Sequence, residues 1–119
     1  MIKIKKNTEK IKLLFICHSA INRSPTASEM YGDKFNTRAV ALYPYSDYTI
    51  FNKNILEDIL WCDKMIVMEQ SHLEILTQKF PEHVREKKIV NLDIPDIYMK
   101  NDDDLKQLIK ERMKPHLIF

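Results

Sequence analysis

The sequence predicts an α/β fold of three layers, a four-stranded parallel sheet with helices on both faces. Three observations carry the prediction. Short apolar runs alternate with helix-period segments along the chain, the pattern of a parallel sheet with crossover helices. The run "KLLFI" at 12–16 is apolar almost without interruption, as a strand covered on both faces must be. The 119 residues suit one compact domain with one core, here 1–119 with residues 1–10 as a basic edge strand or tail.

Each element follows from its own signals. After the first strand, Ser24-Pro25 opens a helix, with Ser expected at the N-cap and Pro at the first helical position. That helix carries Ala27, Met30 and Tyr31 at helical spacing and fades near Gly32-Asp33. "TRAVAL" at 37–42 is the second strand. The segment "YPYSDYTIFN" is irregular, and its Tyr43, Tyr45 and Tyr48 either line a cleft mouth or pack. A helix over 54–61 leads to a strand at 63–68, and a helix over 71–80 stops before Pro81. "KKIVNL" at 87–92 is the fourth strand. "DIPDIYMKNDDD" is irregular because Ile94 precedes a proline. The run Asp102-Asp103-Asp104 begins a last amphipathic helix over 103–113, where carboxylates complement the helix dipole.

Composition excludes several classes of function. At 45% hydrophobic and 30% charged residues the chain reads as an ordinary globular protein. A net charge of +2 gives no field that would argue for nucleic acid as a partner. No apolar run is long enough to span a bilayer, and the start lacks the pattern of a secretory signal, so no membrane partner is expected. Two cysteines, Cys17 and Cys62, make no disulfide framework, and the expected compartment is the reducing cytoplasm. The single glycine, Gly32, rules out phosphate loops that need several glycines. His83 and His116 have no partners at metal spacing. His72 is expected at the surface or as a cap, and Trp61 and Cys62 in the core.

The informative stretch is "LFICHSAINRSPTASEM" at 14–30. An apolar strand ends on Cys17, five residues follow, and Arg23-Ser24-Pro25 starts a helix. Free N–H groups and the dipole of that helix favour an anion at its start. The same donors suit either a thiolate or a bound phosphate. An arginine clamps two phosphate oxygens in a bidentate way that a lysine does not match. Ser24 is placed to donate to the sulfur. The combination suits attack of sulfur on phosphorus through a cysteinyl-phosphate.

These residues carry a resemblance. "CHSAINRSP" is similar to the cysteine, five residues, arginine, Ser-Pro signature of the low-molecular-weight protein tyrosine phosphatases. It most resembles their short bacterial relatives, with "WCDKMIVMEQSH" and "NLDIPDIY" extending the likeness. The resemblance implies a phosphatase acting on phosphotyrosine or a related aryl phosphomonoester, with no cofactor and no metal. Its implied partner is a phosphorylated protein or a small aryl phosphate, met as a monomer or weak dimer. Cys17 is then the nucleophile. His18, Ser19, Ala20, Ile21, Asn22, Arg23 and Ser24 form the phosphate-binding loop. Registering the family's Asp-Pro-Tyr-Tyr loop on "DIYMKNDD" makes Asp96 the general acid and Tyr98 a wall of the substrate cleft. Asp93 is the alternative acid, or a brace of the loop.

The chain departs from the family at named positions. Ser19 and Ala20 stand where the family usually has Gly-Asn or Arg-Asn, and Ala20 offers no side-chain hydrogen bond. Asn22 replaces the cysteine that larger members carry before the arginine. "RAVAL" replaces the usual Ser-Ala-Gly, and the chain is shorter. His18 either turns toward the sulfur or faces solvent. Two other readings stay open: a phosphate- or phosphopeptide-binding module without turnover, and an arsenate-reductase-like thiol enzyme pairing Cys17 with Cys62.

Overall fold

A computed structural model describes residues 10–18, 22–42 and 55–117. The first and second strands are β1, Lys12–Cys17, and β2, Asn36–Ala41, with helix α1, Arg23–Tyr31, between them. Helix α2, Ile55–Trp61, precedes β3, Lys64–Val67. Helices α3, Gln70–Lys79, and α4, Pro81–Glu86, then lead to β4, Lys88–Asn91. The last helix is α5, Asp103–Met113, followed by a short 3₁₀ turn, Lys114–His116. Tyr43, Tyr45 and Tyr48 lie outside the described residues, as do Ser19, Ala20, Ile21 and residues 1–9.

The four strands are parallel in the order β2-β1-β3-β4. Side chains alternate across a strand, and the two cores follow that alternation. Leu13, Phe15 and Cys17 of β1 join Ile66 and Met68 beneath α1 and α5, which contribute Ala27, Leu105, Ile109 and Met113. Leu14 and Ile16 face the other way, with Met65 and Val67, toward Ile59 of α2 and Leu76 of α3. Each fully buried Leu, Ile or Phe contributes about 1.5–3 kcal/mol, so these two cores outweigh any surface ion pair, worth about 0–1 kcal/mol. Below the second face, Arg38 bonds the buried Asp58 at 2.9 Å and lies 4.0 Å above the Trp61 ring.

Two local expectations are corrected and one is extended. Helix α1 starts at Arg23, with Asn22 in the capping position and no side-chain cap. Ser24 is therefore inside the first turn, and its hydroxyl bonds the Cys17 sulfur instead of the helix. Pro25 costs nothing there, because first-turn N–H groups have no intrahelical partner. Helix α3 stops before Pro81 as expected, but Pro81 also opens the short helix α4 at its first position, where proline's fixed φ is favourable. His72 is buried within α3 rather than on the surface. The acidic run behaves as expected, with the Asp102 carboxylate capping α5 by accepting from the Asp104 N–H at 2.7 Å.

The chain leaves β1 toward β2 on one side and reaches β3 on the other. That reversal makes the carboxyl ends of β1 and β3 the switch point, where such sheets place their ligands.

Candidate active site

Cys17 is the last residue of β1 and 2% exposed. Its carbonyl accepts from the Leu42 N–H at 2.9 Å, which ties the strand end to β2. The Sγ and the Ser24 Oγ are 2.9 Å apart, and Ser24 is fully buried. The start of α1 is anchored twice more. Asn22 O accepts from the Thr26 N–H at 3.1 Å and from the Thr26 hydroxyl at 2.7 Å. No side chain caps the start of α1. His18 is exposed.

Arg23 is the centre of the arrangement and is 2% exposed. Its Nη1 donates to the Glu69 carboxylate and to Ile94 O, the latter at 2.8 Å. Its Nε is 3.6 Å from Asp96 Oδ1. A guanidinium is planar with two usable edges. Glu69 and the Ile94 carbonyl hold Nη1 from behind, so the Nε and Nη2 edge is left to present parallel N–H groups to an oxyanion. Asp96 lies at the border of that edge, with a side chain 56% exposed. A buried guanidinium without a counter-charge would cost several kcal/mol, and Glu69 supplies that charge.

Strand register brings these groups together. Ile16 pairs with Val67, and Val67 with Asn91, so Cys17, Glu69 and Asp93 leave adjacent strand ends. The pairing continues past β4, because Leu92 N–H donates to Val67 O at 2.9 Å and Ile94 N–H to Met68 O at 2.7 Å. Asp93 has φ 56°, a left-handed conformation that Asp and Asn adopt more readily than other side chains. Its N–H donates to Asn91 Oδ1 at 2.9 Å. Arg112 Nη1 donates to the carbonyls of Leu92 and Asp93, each at 2.8 Å. The far end of the loop is tied to α1. Asn101, at φ 64°, gives its N–H to Thr26 Oγ1 at 2.9 Å. Lys100 pairs with Glu29 at 2.9 Å and holds that carboxyl below its usual range.

The loop therefore presents Asp96 toward Arg23 while the Asp93 backbone serves as a brace. Tyr98 is half-buried and packs against the α1 and α5 core, whereas its neighbours Ile97 and Met99 are 75% and 73% exposed. Glu69, Gln70, Ser71, Asp93, Ile94 and Pro95 line an open cleft beside the arginine.

Two residues beside the site escape the sequence reading, Glu69 without any reading and His72 as an expected surface or cap residue. Glu69 directly follows the buried strand "MIVM", and a charge there suits a helix cap. Its carboxylate makes no cap bond because it is taken by Arg23. His72, one turn on, is close enough to Arg23, Glu69, His18 and Asp96 for their charges to act on it. The available signal was acidic chemistry at a strand end next to the cysteine strand.

Cys62 is placed away from this site. It packs in the core on the opposite face from Cys17. Asp63 N–H donates to Lys12 O, so Cys62 is level with the start of β1. At about 3.3 Å per residue, the six residues from there to Cys17 separate the two by roughly 20 Å, far beyond disulfide reach. Burial pushes the Cys62 thiol up to about 11, and the thiol donates to Ile59 O at 3.3 Å. Cys62 is expected to resist alkylation by iodoacetamide at pH 8 in the folded protein, and Cys62→Ala to retain full activity. Peptide mapping after labelling checks the first, and loss of activity in Cys62→Ala would restore the paired-thiol reading.

The fold is that of low-molecular-weight phosphatases. The tyrosine phosphatase Wzb from Escherichia coli K30, solved with sulphate, superposes with a TM-score of 0.65 at 22% identity, over 90% of this chain and 96% of that one. SP-PTP, a low-molecular-weight protein tyrosine phosphatase from Streptococcus pyogenes, gives 0.66 at 20% identity, over 90% and 91%. The YwlE arginine phosphatase from Geobacillus stearothermophilus gives 0.61 at 18% identity, over 90% and 92%. No protein-family model and no curated protein sequence matches the chain. Among the described residues, no helix is long and apolar enough to cross a membrane.

Proposed function

We propose that this chain is a phosphatase that hydrolyses phosphotyrosine or a related aryl phosphomonoester through a cysteinyl-phosphate. The observation that carries the reading is the setting of Arg23. It is buried and held from behind by Glu69 and Ile94 O, with Asp96 at 3.6 Å on its forward edge. Cys17 contacts the residue next to it, Ser24.

In this mechanism Arg23 binds two phosphoryl oxygens through Nε and Nη2, with backbone N–H groups of residues 18–24 around the rest. The Cys17 thiolate attacks phosphorus as the bond to the aryl oxygen breaks, and Asp96 gives that oxygen its proton. Water then attacks the cysteinyl-phosphate and returns its proton to Asp96. The phosphorus–sulfur bond breaks, and the Ser24 hydroxyl stabilises the departing thiolate. Tyr98, Ile97 and Met99 border the substrate ring. The free thiol this chemistry needs fits the reducing cytoplasm.

The test compares two leaving groups. Nitrophenolate leaves readily without a proton, whereas phenolate does not. Asp96→Asn is expected to slow phenyl phosphate hydrolysis by about 10²–10⁴-fold, the usual contribution of a general acid, and p-nitrophenyl phosphate hydrolysis much less. Asp93→Asn keeps the left-handed backbone and should change neither rate appreciably. If the two variants exchange these results, Asp93 is the acid. A wild-type protein that binds phosphate but turns over neither ester would establish the binding-module reading, which the Ala20 substitution favours.

A further inference from the structure

His72 is the third residue of α3, and its side chain is 2% exposed. Its Nδ1 has no hydrogen-bond partner among the described residues. Burying an unpaired polar atom is unfavourable, and an aliphatic side chain in the same space would avoid that cost. The surroundings of the ring give this cost a purpose. Its backbone N–H donates to Glu69 O at 3.1 Å, and the Glu69 carboxylate in turn holds Arg23. His72 thus sits within one helical turn of the residue whose carboxylate grips the oxyanion-binding guanidinium.

Four charged or titratable groups act on the ring: Arg23 from α1, Glu69 from the residue before α3, His18 from the segment after β1, and Asp96 from the late loop. Burial and the Arg23 cation push the imidazole below its ordinary value, with His18 adding to this. Glu69 and Asp96 pull the other way and do not prevail. With Arg23 free of ligand, these effects favour the neutral imidazole. A dianion on Arg23 offsets the cation that opposes protonation and adds negative charge within the same low-dielectric region.

We infer that His72 takes up a proton when an oxyanion binds at Arg23, and so becomes a second cation of the site. The proton comes from solvent and goes to the unprotonated ring nitrogen of the neutral imidazole. No covalent bond to carbon, sulfur or phosphorus changes, and release of the anion returns the proton. This rests on the reading of Arg23 as the phosphoryl-binding residue. The sign follows from linkage: a group whose pKa is raised by the ligand makes binding tighter as pH falls through the raised value. The site would therefore hold its anion more tightly toward the acid side, independently of Cys17 and Asp96.

Sulfate is the appropriate probe, because it stays dianionic where phosphate changes its own charge. The protein is the full chain carrying Cys17→Ser and Asp96→Asn, which removes two other groups able to exchange a proton with the anion. Proton NMR follows the imidazole resonances from about pH 5 to pH 8, the range in which histidines titrate, with the His72 signal assigned by its loss in His72→Asn. Saturating sulfate is expected to raise the His72 midpoint by about one unit, and sulfate to bind about tenfold more tightly at the acid end than at the alkaline end. In His72→Asn that tenfold dependence should disappear. A His72 midpoint that sulfate leaves unchanged would overturn the inference, as would a shift confined to His18. Absence of any sulfate binding would overturn the oxyanion site itself, and this inference with it.

Discussion

Cys17→Ser is expected to lower kcat for p-nitrophenyl phosphate by on the order of 10⁴-fold or more, the scale on which removal of a nucleophile is felt. The substitution is nearly isosteric at a buried strand end, and the neighbouring Ser24 hydroxyl at 2.9 Å can bond oxygen as it bonds sulfur. The fold and the Arg23 clamp therefore stay intact, and phosphate affinity should change little. That split is the diagnostic. A structural cysteine would show the reverse, with a shift in Tm and little loss of turnover. Activity that survives Cys17→Ser would remove the cysteinyl-phosphate from the mechanism.

Arg23→Lys is expected to lower kcat/KM by about 10²–10³-fold, comparable to loss of a preorganised donor from an oxyanion site. The charge is kept, so any loss measures the fork rather than the field. Arg23 divides its work between nitrogens: Nη1 holds Glu69 and Ile94 O, and Nε faces the space beside Asp96. A lysine ammonium is a point donor on a flexible stem. If it reaches Glu69 it leaves the oxyanion edge empty, and if it reaches the oxyanion it leaves the Ile94 carbonyl without its donor. Phosphate inhibition constants and kcat/KM should weaken together. Unchanged kcat/KM in Arg23→Lys would mean that the guanidinium does not hold the phosphoryl group.

The architecture was legible because its signals are local. "KLLFI" and "KMIVM" are buried on both faces, and that burial shows as uninterrupted apolar sequence. The cysteine, arginine and serine of the loop were legible by spacing, and the structure places Cys17 against Ser24 as that spacing suggested. What the sequence hid depends on contacts between distant segments. Ser24 was read as a cap because Ser-Pro usually opens a helix, but a buried sulfur competes for its hydroxyl. The stop before Pro81 was legible, but not the short helix that Pro81 opens, because the first position of a new helix suits proline equally. Glu69 drew no reading of its own, since nothing in "VMEQSH" announces an arginine from 46 residues earlier. His72 sits among polar neighbours in the chain, and only the packing of α3 against the sheet buries it.

The choice between Asp93 and Asp96 shows the same limit from another side. Both are exposed carboxylates three positions apart in one loop, and sequence register alone favoured Asp96. The backbone separates them physically. Asp93 lies at φ 56° with its N–H and carbonyl engaged in holding the loop, while the Asp96 carboxylate is turned to Arg23.

The central claim is that phosphorus passes through Cys17, and the direct measurement is to trap it there. Asp96→Asn protein is mixed with phosphorus-32-labelled p-nitrophenyl phosphate, quenched within a turnover, digested and mapped. The account predicts label on the peptide that contains Cys17, stable to alkali and lost to iodine, as a phosphorus–sulfur bond requires, with no label in Cys17→Ser. Steady hydrolysis with no labelled peptide, or label on a serine or histidine that persists in Cys17→Ser, would contradict it.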